Sequence, residues 1–269
     1  MRLVARLALV IVLVAAPGCR PDELDLRYRF EPQAVLTYEL AAEANAFWDI
    51  GTPGSGSYRV TFRVIETILS VDEQGAVVKV TMQPEEVEEA GLPSPGSEDR
   101  TFTLRVGESG EVLDVIEVDG VPATALDHDE LAFIGTYRPP LPLDPVGLHQ
   151  SWNARQEVTL DVLSQQLATR GRLLGLRRED HRLAQLGFSG EGPLTWETTL
   201  PQGEARLTGQ TTTGGRAELD LDEGFLRAAS STTSGDFTVR VTPSTGNVPI
   251  TGTLHLDIEL DLQQVSTAQ

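Results

Sequence analysis

Cysteine is almost absent: Cys19 is the only one in 269 residues, so no disulfide can form within the chain. Lysine is equally rare, Lys79 being the only one among 21 basic residues, a bias read here as genome composition rather than chemistry. Aromatic residues make up only 6%, which argues against a dense stacking platform for sugars or nucleotides. Positive charge is outnumbered, with 21 Lys and Arg against 40 Asp and Glu and a net charge of −19. Loss of Arg2 and Arg6 with a leader peptide would take it to −21. Such a field repels phosphate backbones and anionic headgroups, so nucleic acid is excluded as a partner. No apolar run reaches the roughly 20 residues that a membrane-spanning helix needs.

Motifs that carry chemistry are also missing. The four histidines His128, His149, His181 and His255 show no H-x-H or H-E-x-x-H spacing. Asp127-His128-Asp129-Glu130 would scatter its side chains around a helix and reads as a solvated acidic face. Asp220-Leu221-Asp222-Glu223-Gly224 is similar to a calcium loop but lacks the distal glutamate, so a turn between strands explains it better. Gly107-Glu108-Ser109-Gly110 is a near miss of G-x-S-x-G, placed between strands where a hairpin is expected. No glycine-rich phosphate loop is present. The expectation is therefore no catalytic residue, no metal and no cofactor.

What is present begins at the N-terminus. Arg2 and Arg6 precede the ten-residue apolar run Leu7–Ala16, the size of a signal-peptide core, which ends in Ala16-Pro17-Gly18-Cys19. These four residues resemble the lipobox of bacterial lipoproteins, with Gly18 and Cys19 on pattern and Ala16 and Pro17 in place of the usual leucine and alanine or serine. The resemblance implies cleavage between Gly18 and Cys19, acylation of Cys19 with palmitate-type chains, and a membrane held through that lipid anchor. Each buried CH₂ would add about 0.8 kcal/mol to the anchoring. Arg20 stands where aspartate commonly signals inner-membrane retention, so the resemblance implies the outer membrane. The rival is plain secretion with cleavage after Val14-Ala15-Ala16, which puts Pro17 just past the scissile bond, a poor substrate. This reading divides the chain into a signal peptide at 1–18, a lipidated tether at 19–27, and β-rich halves at 28–145 and 146–269.

Strict alternation marks the mature part as mostly β. Tyr58, Val60, Phe62 and Val64 form one apolar face, and Ala76, Val78, Val80 and Met82 another. Phe102, Leu104 and Val106 repeat the pattern, as do Leu254, Leu256, Ile258, Leu260 and Leu262. One buried and one wet face is the antiparallel habit. Breaks are expected at Thr52–Gly56, Gly91–Gly96, Gly214-Gly215 and Ser234-Gly235-Asp236. Helical spacing of Leu126, Leu131 and Ile134 predicts a short helix near 123–134, followed by a strap with Pro139, Pro140, Pro142 and Pro145. The acidic turns before Gly110 and Gly224 follow one plan, which suggests two related halves of curved antiparallel sheet, half-barrel or sandwich-like.

Leu141 to Trp152, with its prolines, Val146-Gly147 turn and Ser151-Trp152 pair, resembles a feature of secreted and lipidated bacterial β proteins of unknown function. More distantly the chain is similar to lipoprotein carriers of the LolA and LppX kind, whose curved sheet closes over a helix to hold acyl chains. These likenesses imply a non-enzymatic envelope lipoprotein that binds or carries an apolar ligand. A lipid-anchored interaction or assembly subunit with a protein partner is the alternative, and an uncommon hydrolase the third reading. Trp48, Trp152 and Trp196 with Phe47, Phe188 and Phe225 would line an apolar pocket or pack the core. The run Glu85-Glu86-Val87-Glu88-Glu89 reads as a solvated loop.

Overall fold

A computed structural model describes residues 23–92, 98–125, 138–160, 163–200, 203–243 and 248–268. The first half supplies β1 (Val35–Asp49), β2 (Pro53–Asp72), β3 (Gly75–Ala90), β4 (Arg100–Val106), β5 (Val112–Val118) and the two-residue β6 (Val121–Pro122). The second supplies β7 (Ser151–Leu160), β8 (Leu163–Arg178), β9 (Arg182–Leu200), β10 (Gly203–Asp220), β11 (Leu226–Pro243) and β12 (Ile250–Ala268). All twelve lie in one sheet in the order β6-β5-β4-β3-β2-β1-β12-β11-β10-β9-β8-β7. Each half is an antiparallel meander, and the halves join where β1 pairs with β12 from Val35↔Ala268 to Asp49↔Thr253. β6 and β7 are the margins of the sheet, which is not closed.

The expected mostly β, antiparallel class is what the chain adopts, though as one sheet rather than two stacked ones. Of the short helix expected near 123–134, Ala123–Ala125 form a 3-10 turn, and residues 126–134 lie outside those described. Three of the four expected breaks are corrected. Pro53 opens β2, so Gly54 and Gly56 lie within it, while Gly214-Gly215 and Gly235 sit in the middles of β10 and β11. At several of these glycines an aromatic ring from the facing strand, or from two residues along the same strand, occupies the space a Cβ would need. Trp48 covers Gly54, Phe188 covers Gly215, and Phe237 covers Gly209 and Gly235. Trp152 covers Gly171 in the same way across β7 and β8. A Cβ on any of these glycines would sit inside the ring's van der Waals surface, so here glycine marks close approach rather than a turn.

The sheet's lower end, where β1 begins, is plugged. Leu24 and Val146 exchange backbone hydrogen bonds of 2.8 and 2.9 Å, and Leu141 N–H donates to the Ser109 carbonyl at 2.8 Å. Tyr28 N–H donates to Glu108 in the β4–β5 turn and Arg29 N–H to Gly224 in the β10–β11 turn. Gly110 and Gly224, the two glycines of the parallel acidic turns, have φ of 87° and 78° and admit Tyr28 and Arg29 where a Cβ would collide. Leu26, Tyr28, Leu141 and Val146 are buried in one core with Val60, Val78, Leu104, Leu186, Leu219 and Leu262. Of the residues expected in a tether at 19–27, Leu24 onward belongs to the fold: burying Leu26 contributes about 2 kcal/mol.

Candidate functional site

At the centre of the lower core sits a polar group that the alternation pattern does not announce. Glu66 has the inward parity of Val64 and Ile68 on β2 and is 1% exposed. Arg138, at the start of the proline strap, reaches it with Nη2–Oε2 at 2.5 Å. The guanidinium also lies 6.0 Å from the Tyr28 ring, and the Tyr28 hydroxyl donates to the Pro139 carbonyl at 3.1 Å. Burial pushes the Glu66 carboxyl above its usual range, with the Arg138 charge opposing it. Burial likewise raises the Tyr28 and Tyr38 hydroxyls, the nearby Glu66 charge adding to it. This group ties the strap to β2 and is closed to solvent. Its part is structural.

Above it the inner face changes character. On the first rung Leu260 faces Ser231, Gly215 and Phe188, with Trp152 beyond Gly171. On the next, Ile258 faces Thr233, Thr213 and Gly190, and on the third Leu256 faces Gly235, Thr211 and Gly192. Leu254, Leu256, Ile258 and Leu260 are only partly buried, whereas Leu262 one rung lower is 1% exposed. A floor of glycine, serine and threonine thus lies between an aliphatic ridge on β12 and the half-buried rings of Phe188 and Trp152. None of these lining side chains is charged. A second, smaller cluster bounds the trough above: Ala205, Leu207, Val239 and Val241, with Ile50, Trp196 and Leu254 against it.

The outer face carries a groove of about 750 Å³. Its residues form three successive rungs of β1, β12, β11 and β10. Phe47–His255–Asp236–Gln210 and Asp49–Thr253–Thr238–Thr208 point outward as its walls, and the backbone of Trp48–Leu254–Phe237–Gly209 is its floor. His255 donates to Asp236 at 2.8 Å and to Asp257 at 3.1 Å. The Asp236 hydrogen bond first, then the Asp257 charge, raises the imidazole's pKa. Hydrogen bonding from Ser234 first, then His255, lowers that of Asp257. Only the imidazolium can donate to both carboxylates at once, and in that form the ring has no lone pair for general-base work.

The other sequence candidates are accounted for locally. Ser109 lies in the β4–β5 hairpin with its hydroxyl on Glu111. His181, Asp220 and Asp222 bring ligand atoms within 4.8 Å of one another. Asp220, however, already accepts the amides of Asp222 and Glu223 at 2.9 Å each and the Arg227 guanidinium at 2.7 Å. Asp222 accepts the Arg182 amide and side chain, so the loop is the expected turn, held by arginine. Phe225 is buried beneath Arg227, Trp196 packs on the upper cluster, and Phe47 faces out. The glutamates at 85–89 are part of β3 rather than a loop. Gly18, Cys19 and His128 lie outside the described residues. Sequence reasoning missed the Glu66–Arg138 pair and the Asp236–His255–Asp257 chain; Glu66 and Arg138 are 72 residues apart, and Asp236 reaches His255 only across strands.

No family model matches the chain, and no curated protein matches it. Among solved structures it is similar to part of lipovitellin, solved for its lipid–protein interactions, at 11% identity and a TM-score of 0.46. That match covers 89% of this chain and 26% of the other, so this chain spans about a quarter of lipovitellin's length. It is also matched to an outer membrane channel from Pseudomonas putida F1 at 8% identity and a TM-score of 0.19, over 92% of this chain and 99% of that one. Neither likeness is close enough to bear on ligand or activity. Among the described residues no helix is long and apolar enough to cross a membrane.

Proposed function

We propose that this chain is a lipid-anchored envelope protein, tethered through Cys19 at the outer membrane, that binds an apolar ligand in its inner trough without transforming it. The observation that carries this reading is the partly buried ridge Leu254–Leu256–Ile258–Leu260, an uncharged apolar stripe that packs against the two clusters yet keeps more exposure than Leu262 below it. At ~3.4 Å per residue the ridge is ~20 Å long, matching an extended acyl chain. Solvated aliphatic surface of this kind is stabilised by covering it, at roughly 25 cal/mol per Å². The N-terminal lipobox resemblance supplies the address, and the plugged lower end, where Leu24 enters the fold, lies toward the anchor.

The test uses the full chain purified in mild detergent. Native mass spectrometry is expected to retain co-purifying lipid, and palmitate to displace the neutral probe N-phenyl-1-naphthylamine. Ile258→Glu places a charge in the trough and should weaken probe binding at least tenfold. Repeated preparations free of lipid, with probe binding indifferent to that change, would sink the reading. Palmitate labelling of the wild type and of Cys19→Ser tests the anchor separately.

A further inference from the structure

The outer groove does not depend on the trough, and its chemistry is different. Adjacent same-face rungs stand ~7 Å apart and four strands span ~14 Å, so the groove is one pyranose ring wide and two to three rings long. Phe47 stands at one end with 56% of its surface exposed, tilted 33° against the His255 ring at a centroid distance of 6.4 Å. An exposed ring beside hydrogen-bonding groups offers the aliphatic face of a sugar a surface to cover. Besides the Asp49 carboxylate, the walls carry short groups that both donate and accept: the Thr208, Thr238 and Thr253 hydroxyls and the Gln210 amide. No lysine or arginine lines the groove, which disfavours an anionic ligand. Asp236 and Asp257 share the single His255 cation, and Asp49 adds a further carboxylate to the walls, so the groove keeps a net negative charge that a cation would compete for. The same two bonds hold the imidazole still, and the Asp236 side chain, 86% exposed, keeps acceptor capacity toward the groove.

We propose that this groove binds a neutral glycan of about two to three sugar units, one ring stacking on Phe47 and its hydroxyls meeting Asp236, Gln210 and the threonines. The scarcity of aromatic residues rules out a continuous platform, but a short glycan needs a single ring with polar groups converging beside it.

Isothermal titration calorimetry of the detergent-solubilised full chain tests this with maltotriose, mannotriose and chitotriose, and with spermine as the cationic arm. At least one trisaccharide is expected to bind with a Kd near or below about 1 mM. Phe47→Ala should weaken it at least tenfold and Asp236→Asn about fivefold, while Leu143→Ser at the opposite end of the sheet leaves it unchanged. Thermal melts verify folding, and Thr238→Val serves if either variant fails to fold. Absence of binding by all three glycans at 10 mM (~10 times the expected Kd), binding unaffected by the groove variants, or binding of spermine alone would each overturn the proposal.

Discussion

The lower end of the sheet and its middle are built from the same strands, yet they solve the packing problem in opposite ways. Below Leu262 the inner face is filled by Leu, Val, Ile and Tyr side chains and sealed by two crossing segments, 24–30 and 138–150. From Leu260 upward the same face carries Gly, Ser and Thr on β9 to β11, and the leucines of β12 are only partly buried. The difference teaches where stability and where binding reside. In the lower core alanines are interleaved with Leu, Val, Ile and Tyr and capped by the crossing segments; higher up, Gly, Ser and Thr take the alanine positions and no crossing segment lies over them among the described residues.

The sharpest way to break the contrast is at Glu66. Glu66→Ala strands the Arg138 guanidinium in the lower core, and loss of one partner of a buried pair costs about 3–5 kcal/mol. Replacing both, as Glu66→Met with Arg138→Leu, should recover most of that loss, since an apolar pair of similar volume carries no desolvation penalty. Denaturant unfolding of the two variants beside the wild type decides it. If the double substitution is as damaging as the single one, the pair is doing something beyond neutralising its own burial.

The next test applies one change to both regions. Leu219→Ala removes a fully buried side chain among Leu186, Ala217 and the lower core and should cost about 2–5 kcal/mol. Leu256→Ala, in the trough, leaves no comparable cavity and should cost about 1 kcal/mol or less. Equal losses would mean that the trough is packed as tightly as the plugged end. That result would also undercut the ligand reading.

How far this was legible in the sequence follows the same boundary. Tyr58, Val60, Phe62 and Val64, then Ala76 to Met82 and Phe102 to Val106, announce their buried faces by alternation, and the structure buries each of them. In β10 and β11 the inward positions are Gly215, Thr213, Thr211 and Ser231, Thr233, Gly235, which carry no hydrophobic signal. Their glycines therefore read as turns, because the rings of Phe188 and Phe237 that require them lie on other strands or two residues away. Glu66 was hidden for a related reason. An acid at an inward position looks like the end of a strand until its arginine, 72 residues later, is brought beside it.

The smallest expected effect belongs to the outer face, and it is one of pH. Asp236, then Asp257, hold the His255 proton, so the folded-state pKa lies above the unfolded value of about 6.5. Below that unfolded value the imidazole is charged in both states and its ion pairs contribute in full. As pH rises through the raised folded value the proton leaves and the contribution is lost, so stability declines with increasing pH. The groups are solvated and the pairs screened, which limits the effect to below about 1 kcal/mol. Burial raises Glu66 too, and it acts in the same direction at lower pH, so the wild-type slope alone mixes two regions. His255→Asn leaves Glu66 untouched, and subtracting its stability profile from the wild type isolates the outer face. A difference that does not shrink as pH rises above about 6.5 would mean that the two carboxylates do not hold the imidazole as the geometry indicates.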